Sequence, residues 1–336
     1  MSVLIICEKP SVAKTVALAL GAAEQKDGYL SGDGLLVSWC IGHLISMADA
    51  GSYDERYKKW RYEDLPILPQ MWKYAPTPGK EKQLAVLKEL LHRSDISEVV
   101  NGCDAGREGE LIFRFVYEQA GCTKPFSRLW ISSMEDSAIR EGFAGRRAGT
   151  EYDALYQSAL CRARADWLVG INATRLFSVL YHKTLNVGRV LSPTLNLLVE
   201  RDGKITMFHK EKYHIVHIGC GGVDAESERI SDAAAADALK TACEASQAIC
   251  ISLKKEKKTA LPPKLFDLTS LQREANRVYG FTAKQTLDYA QSLYEKRFLT
   301  YPRTDSNYLT EDMAQTATDL VAALLPVLPF MQGAEL

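Results

Sequence analysis

The sequence predicts a multi-domain protein whose first domain is α/β and whose later parts are mainly helical and α+β. Two similar units predict the α/β domain. The unbroken apolar run Val3 to Cys7 leads through a charged turn into a periodic stretch from Val12 to Leu20, which is typical of a buried strand, a turn and a helix. The run from Val99 to Ala120 repeats this pattern. A helical pattern across residues 151–200 then predicts the change to mainly helical structure.

Further signals predict where these elements begin and end. Ser11 is expected to cap the first helix and Gly21 to end it, whereas the helix of the second unit is predicted from Leu111. Strand-like runs over Tyr213 to Ile218 and Ala248 to Leu253 flank an alanine-rich helix that is predicted to start at Asp232 with Ser231 as its cap.

The segment Leu261-Pro262-Pro263-Lys264 is the clearest domain boundary. Two helices are predicted beyond it, and the second begins at Thr282 with Gln285 three residues later, which is the pattern of a capping box.

Composition and charge indicate a soluble protein of two or three domains. The chain has 336 residues, 46% of them apolar, and no apolar run approaches the ~20 residues that a membrane helix requires. No signal-peptide pattern opens the chain, and the eight cysteines include no C-x-x-C pair, so we expect a reduced cytoplasmic setting without a zinc ribbon. A net charge of −1 means that any affinity for nucleic acid must come from local clusters of Lys and Arg.

Acidic residues follow both predicted strands. Glu8 and Lys9 come directly after the first strand, and Asp104 and Glu108 follow the second. Because the carboxyl ends of parallel strands form one edge of a sheet, these carboxylates are expected to create a site for a hard divalent cation, for which Mg²⁺ with phosphate is the usual combination. The alternative for each segment alone is a solvated turn or a helix start that favours Glu because of the helix dipole.

A tyrosine and an arginine lie two residues apart in the turn-forming segment Thr300 to Ser306. Tyrosine is a weak nucleophile at its ordinary pKa of about 10, so a phosphate-attacking Tyr301 would need help. Arg303 can give it, because a guanidinium grips two phosphate oxygens and stays charged. The alternative is a chance turn around Pro302.

Three regions predict contacts with a nucleic acid. Residues 53–62, which include Trp60, interleave aromatic and basic side chains as a single-strand stacking platform does, although a loop anchored by packed aromatics is an equal alternative. The helical pattern of residues 151–200 carries Arg162, Arg164, Asp166 and Arg175, and Arg162 with Asp166 could instead form a surface ion pair. The third region, the segment around Gly188 and Arg189, is predicted only by the family resemblance described below, which implies a close approach of its backbone to a phosphate.

Five segments of the chain resemble, in order, those of the type IA DNA topoisomerases, and most closely the bacterial topoisomerase III members. They read EKPSVAKTVALALG, GCDAGREGELIFR, ADWLVGINATRLFS, VGRVLSPTLNLLVERD and LTYPRTDSNYL. The resemblance implies a Toprim domain over residues 1–150, part of a helical DNA-binding domain over 151–210, part of an α+β arch over 211–260 and part of a tyrosine-bearing helical domain over 261–336. It therefore implies a multi-domain architecture, truncated relative to the family's length.

The same resemblance assigns roles to single residues. It implies Tyr301 as nucleophile, Arg303 as the arginine of the transition state, and Lys9 and Glu8 as further catalytic residues. The implied ligands of Mg²⁺ are Glu8, Asp104 and Glu108. The implied DNA contacts are Trp60, Arg162, Arg164, Asp166, Arg175, Asn186, Val187, Gly188, Arg189, Val190 and Leu191.

The chain departs from the family pattern at three points. Gly106 stands where a second aspartate is common, which favours one Mg²⁺ over two. Leu191 stands where a glutamine is usual. Members of the family continue well beyond the tyrosine, whereas Tyr301 is followed by 35 residues here, so we expect this chain to represent the N-terminal part of the family's length.

The resemblance implies a Mg²⁺-dependent, ATP-independent enzyme that breaks and rejoins single-stranded DNA through a 5′-phosphotyrosyl intermediate, and so relaxes negative supercoils or decatenates DNA. The implied partner is single-stranded or negatively supercoiled duplex DNA, bound by a monomer in the bacterial cytoplasm, with no membrane and no nucleotide. Consistent with this, no G-x-x-x-x-G-K-[ST] loop occurs. The alternative is an inactive DNA-binding fragment. Another Toprim enzyme, such as a primase or nuclease, is disfavoured by Tyr301 and Arg303.

Overall fold

A computed structural model describes residues 1–296, 298–309 and 313–328 of the chain. The predicted tyrosine-bearing domain over 261–336 therefore lies partly outside the described residues. The chain divides into two units, one formed by Met1–Arg189 with Lys264–Leu336 and the other by Val190–Pro263.

The strands and helices are numbered in chain order. The strands are β1 (Ser2–Cys7), β2 (Glu24–Lys26), β3 (Tyr29–Gly32), β4 (Leu35–Trp39), β5 (Ile45–Met47), β6 (Tyr74–Pro76), β7 (Ile96–Gly102), β8 (Phe126–Arg128), β9 (Arg147–Ala148), β10 (His217–Cys220) and β11 (Val223–Glu226). The helices are α1 (Pro10–Ala19), α2 (Glu81–His92), α3 (Arg107–Gln119), α4 (Asp136–Ala144), α5 (Asp153–Leu180), α6 (Leu191–Thr206), α7 (Ala233–Glu244), α8 (Leu268–Tyr279), α9 (Ala283–Glu295) and α10 (Ala314–Leu324).

The first unit is built on a seven-stranded sheet with the order β2-β3-β4-β1-β7-β8-β9. Strand β1 lies at its centre and pairs in parallel with both β4 and β7. Leu4, Ile5, Ile6 and Cys7 are fully buried because apolar residues of α2 and α3 cover one face and residues of α1 and α4 cover the other. A strand buried on both faces needs a continuous apolar run, which is the pattern that predicted it. The prediction of an α/β domain is confirmed.

The ends of the first helices differ in part from the predictions. Helix α1 begins at Pro10 with Lys9 as its N-cap residue, so the prediction of Ser11 as the cap was wrong. Proline suits the first helical position because the amide hydrogen it lacks would have no partner there. Gly21, with a φ of +87°, follows the helix end as predicted. Helix α3 begins at Arg107, before the predicted Leu111. The prediction missed the first turn because that turn is polar and periodicity detects only apolar positions.

The second unit contains α6, the hairpin β10–β11 and α7. The side chain of Asp232 accepts hydrogen bonds from the amides of Ala234 and Ala235, so Asp232, and not Ser231, caps α7. The prediction of a strand over Ala248 to Leu253 was wrong, because in the part of the chain that the structure describes no strand pairs with it.

Helices α8 and α9 return the chain to the first unit. The predicted capping box is confirmed: the amide of Gln285 donates to Thr282 Oγ1 at 3.1 Å and the amide of Thr282 donates to Gln285 Oε1 at 2.9 Å. Tyr294 of α9 is 2% exposed and belongs to the apolar cluster that covers the α1 face of the sheet. Helix α9 is therefore anchored on the α/β domain. Among the helices that the structure describes, none has the length and apolarity to cross a membrane.

We predict that Leu4→Ala lowers the free energy of unfolding by about 2–5 kcal/mol, because it leaves a cavity beside the central strand. Leu18→Ala is the matched control, since Leu18 lies on α1 with 52% of its surface exposed, and it should change stability by no more than about 0.5 kcal/mol. Urea unfolding followed by circular dichroism measures both. Equal losses would contradict the assignment of β1 to the core.

Candidate active site

Two carboxylates meet at the edge of the sheet where β1 and β7 end. The parallel register pairs Cys7 with Gly102, so Glu8 and Asp104 follow at the same edge. The backbone amide of Asp104 donates a hydrogen bond to the carboxylate of Glu8. The pKa of Glu8 is raised, mainly by burial and next by the charge of Asp104, and Lys9 and Arg303 oppose this rise. The structure thus brings together the carboxylates that the sequence predicted to be neighbours.

The tyrosine segment lies against this same edge. The amide of Tyr301 donates to the carbonyl oxygen of Ser132 at 3.2 Å, and its ring meets that of Tyr294 edge-on, with centroids 5.5 Å apart. Arg303 lies close enough to the side chain of Tyr301 to lower the pKa of its phenol, and Arg303 Nη1 donates to Gln291 Oε1 at 3.0 Å. Residues more than 190 positions apart in the chain therefore form one site.

The phenol of Tyr301 is protonated at neutral pH. Burial raises its pKa to about 12, with a further contribution from the charge of Asp104, while the hydrogen bond and charge of Arg303 act in the opposite direction. Attack by Tyr301 therefore requires a group that takes the proton or stabilises the phenolate as it forms.

The residues at the edge fit a divalent cation. Oδ2 of Asp104 is buried and, among the residues that the structure describes, has no hydrogen-bond partner, and the nearby charge of Glu8 repels it. A cation between two such carboxylates would satisfy the buried oxygen and remove the repulsion, and Mg²⁺ prefers oxygen ligands of this kind. Within residues 1–296, 298–309 and 313–328, no group of three or more His, Cys, Asp or Glu side chains is arranged to hold a metal ion. Glu8 and Asp104 are thus the two carboxylates of this edge that are suited to it.

Glu108, the third predicted ligand, turns to a neighbouring groove. Its Oε1 lies 2.7 Å from His43 Nε2, and its Oε2 accepts a hydrogen bond from Arg162 Nη2. These contacts hold the pKa of Glu108 below its usual value, with the His43 hydrogen bond as the largest cause. Its role as a metal ligand remains a prediction.

The groove beside Glu108 has a volume of about 380 Å³ and gathers several predicted DNA contacts. Arg189 donates to both carboxylate oxygens of Asp166, from Nε at 2.8 Å and from Nη2 at 3.2 Å. The alternative interpretation of Arg162 and Asp166 as an ion pair with each other is therefore wrong, since each has a partner from another part of the chain. Both arginines lie where they could exchange a carboxylate for a phosphate.

A second cavity, of about 430 Å³, lies farther along α5 and is lined by Trp60, Arg175 and Asn186. Trp60 is 43% exposed, and the Arg175 guanidinium lies over its ring at 5.5 Å. Arg175 is only 5% exposed, because it donates to the Tyr57 carbonyl oxygen at 2.7 Å and so ties the 53–62 loop to α5. These contacts agree with an anchored loop, and the stacking platform stays a prediction, for which Trp60 is accessible.

The remaining predicted contacts have different environments. Arg164 lies over the Trp72 ring at 5.3 Å and donates to Tyr74 Oη at 3.4 Å, on a side of α5 that is occupied by aromatic side chains. The amide of Val187 donates to Thr174 Oγ1 at 2.9 Å, which fixes the segment around Gly188 on α5. Val190 and Leu191 belong to the second unit and are exposed.

A buried ion network beneath the edge was missed by sequence reasoning. Glu110, the last acidic residue of the second motif, is fully buried and faces inward, where its carboxylate meets Arg114 Nε at 2.9 Å and Arg128 Nε at 3.2 Å. The spacing of Glu110 and Arg114 was a usable signal, since residues four apart share a helix face. Arg128 gives no such signal, because its partners are distant in sequence. His43, Ser132 and Gln291 were missed for the same reason.

The chain is similar to known proteins along most of its length. The sequence model of a family described as "Toprim domain" matches residues 3–134, and that of a family described as "DNA topoisomerase" matches residues 150–327. The chain is 41% identical to DNA topoisomerase 3 of Shouchella clausii over 97% of its own length and 46% of the relative's. It is 40% identical to DNA topoisomerase 3 of Bacillus subtilis, with 98% and 46% covered.

Among solved structures, full-length topoisomerase I from Thermotoga maritima shares the fold, with a TM-score of 0.67, 24% identity, and coverage of 98% of this chain and 53% of that chain. The fold and the site define a protein of the Toprim-containing topoisomerase class. The chain belongs to the type IA DNA topoisomerase family and resembles its topoisomerase 3 members. It spans about half the length of the curated relatives it matches.

Two glycines of the second acidic motif provide a matched test of this site. A Cβ on Gly109 would lie 2.2 Å from the Asp104 carbonyl oxygen, whereas a Cβ on Gly106 would meet no atom within 4 Å. We predict that Gly109→Ala displaces Asp104 and lowers stability by about 1–3 kcal/mol, while Gly106→Ala changes stability by no more than about 0.5 kcal/mol. Thermal unfolding of both variants checks this. A neutral Gly109→Ala would show that the motif backbone is not closely packed.

Proposed function

We propose that this chain breaks and rejoins single-stranded DNA by transesterification at Tyr301. The observation that carries the proposal is that Tyr301 lies beside Arg303 at the edge that carries Glu8 and Asp104. A nucleophile, a guanidinium and a carboxylate pair in one partly buried site are the groups that phosphoryl transfer needs.

In the proposed reaction, the phenol oxygen of Tyr301 attacks a backbone phosphorus atom and the bond from phosphorus to the 3′ oxygen breaks. The strand is then held as a 5′-phosphotyrosyl ester. Arg303 stabilises the charge on the phosphoryl oxygens, and Lys9 protonates the leaving 3′ oxygen. Glu8 either takes the phenol proton, for which its raised pKa suits it, or holds the cation together with Asp104. When bound, Mg²⁺ supplies positive charge that favours phosphate in the site.

Religation is the reverse of cleavage. One phosphodiester is exchanged for another, so the bond energy is kept and no nucleotide is needed. The proposal therefore does not require an ATP site.

The strand is proposed to follow α5. Helix α5 borders two cavities, the groove of Arg162 and Arg189 and the cavity of Trp60. The α5 residues that line them are spaced by about four positions, so they share one helix face. From Arg162 to Thr174 this face is ~18 Å long. Arginines with an exposed tryptophan suit the phosphates and bases of a single strand.

The larger function we propose is relaxation of negative supercoils or decatenation, by a monomer in the bacterial cytoplasm. It rests on the relatives, which are bacterial proteins named DNA topoisomerase 3. A second candidate is a DNA-binding fragment that does not cleave. The fact that favours it is that the chain spans 46% of the length of the relative from Shouchella clausii.

We predict that the purified chain, incubated with end-labelled single-stranded DNA and Mg²⁺ and then denatured, gives a protein-linked 5′ product that Tyr301→Phe abolishes. Tyr308→Phe is the matched control, because Tyr308 lies in the same segment, is 69% exposed, and its hydroxyl accepts a hydrogen bond from Lys264 Nζ at 2.7 Å. The control should retain adduct formation within about twofold. No adduct from folded protein that binds DNA would favour the second candidate.

We also predict that Arg189→Gln weakens binding of single-stranded DNA and lowers the slope of log K against log salt by about 0.7, the value for one phosphate contact. Arg147→Gln is the control, since Arg147 is 70% exposed and lies at the far β9 edge of the sheet. Fluorescence anisotropy across a salt series measures both slopes. An unchanged slope for Arg189→Gln would place the strand elsewhere.

A further inference from the structure

Arg128, at the end of β8, is a fully buried arginine directly beneath the candidate active site. Its Nη1 lies within hydrogen-bonding distance of the carbonyl oxygens of Asn101 (3.0 Å), Cys103 (2.7 Å) and Leu129 (3.0 Å). Its Nη2 donates to the carbonyl oxygen of Asp104 at 2.7 Å. One guanidinium therefore contacts the backbone on either side of the point where β7 gives way to the acidic motif.

The charge of Arg128 is balanced by Glu110, which is also fully buried and comes from the same acidic motif. Glu110 is held in turn by Asn101 Nδ2 at 2.9 Å and by Arg114 Nε at 2.9 Å. The aromatic ring of Trp130 lies 5.1 Å from the Arg128 guanidinium. Burying a charged arginine costs several kcal/mol of desolvation free energy unless its partners are well placed. The stability of buried Arg128 therefore depends on these contacts.

Arg128 acts on the part of the backbone from which the Asp104 side chain projects. Carbonyl oxygens at a strand end lack the partners that a continued strand would supply, and the guanidinium supplies them in a fixed plane. Gly109 packs against the same backbone so closely that a Cβ would lie 2.2 Å from the Asp104 carbonyl oxygen. The peptide of Asp104 is therefore held both by a hydrogen bond from Arg128 and by packing against Gly109.

We infer that Arg128, paired with Glu110, is a positioning residue that fixes the backbone of Cys103 and Asp104 and so directs the unpartnered Asp104 carboxylate oxygen toward Glu8. The inference deepens the proposed function, since the carboxylate pair is the cation site of that proposal. Glu110 thereby has a role distinct from that of the other acidic residues in its motif: it neutralises an arginine instead of facing the substrate.

Arg114 offers a matched control within the same network. It is also buried and also bonds Glu110, but its other donors go to the carbonyl oxygen of Gly149 at 2.8 Å and to Asp153 at 2.7 Å, away from the strand end. A purely structural role for the network would make the two arginines equivalent. A positioning role makes only Arg128 important for Asp104.

The first experiment compares Arg128→Lys with Arg114→Lys by hydrogen exchange and mass spectrometry. Lysine keeps the charge opposite Glu110 but cannot reproduce the planar fork that reaches several carbonyl oxygens. We expect at least tenfold faster exchange in peptides covering residues 102–106 for Arg128→Lys and wild-type exchange there for Arg114→Lys. Equal exchange of these peptides in the two variants would overturn the inference.

The second measurement is calorimetric titration of each folded variant with Mg²⁺ alone, without DNA. Arg128→Lys is expected to bind at least tenfold more weakly than the wild type, and Arg114→Lys within twofold of it. Wild-type affinity in Arg128→Lys would also overturn the inference. If the wild type binds no Mg²⁺ but the exchange difference is present, the positioning role stands and the cation site of the proposed function fails, so the two failures are distinguishable.

Discussion

The parallel pairing of β1 between β4 and β7 is the constraint on which the rest of the site depends. Because β1 is buried on both faces, a one-residue shift of its register would exchange the side chains of its two faces, so the register is strongly determined. That register places Glu8 and Asp104 at one edge. Burial and next the charge of Asp104 raise the pKa of Glu8 there, and a buried oxygen of Asp104 has no hydrogen-bond partner among the described residues. This arrangement is therefore energetically unfavourable by itself, and a bound cation or phosphate can offset that cost.

The second half of the site comes from a later segment of the chain. With this segment the chain returns to the first unit after it has passed through the second. Tyr294 secures α9 on the α/β domain, and the Tyr301 backbone bonds to Ser132, so Tyr301 is held by packing as well as by its own turn. The groove along α5 also contains charges that a ligand could compensate. Its arginines are already paired with the carboxylates of Glu108 and Asp166, and a bound strand would replace one anion by another.

Much of the fold could be predicted because its signals are local. Continuous apolar runs predicted the buried strands, Gly21 predicted a helix end, and Thr282 with Gln285 predicted a capped helix. The failures occurred where a local signal had a competitor. Pro10 displaced Ser11 at the start of α1, and Asp232 displaced the neighbouring serine as the cap of α7, because one helix end accepts one cap.

By itself, the sequence determined the motifs, their order and the chemical identity of the candidate site groups, since these depend on residue type and short spacing. It brought Glu8 to a strand end and Tyr301 to a turn. Only the tertiary structure decided which groups meet: Glu108 turns to His43, Asp166 pairs with Arg189, and Arg128 supports Asp104 from below. Each of these contacts joins residues far apart in the chain, and such pairings are set by the packing of whole elements, which no local pattern records.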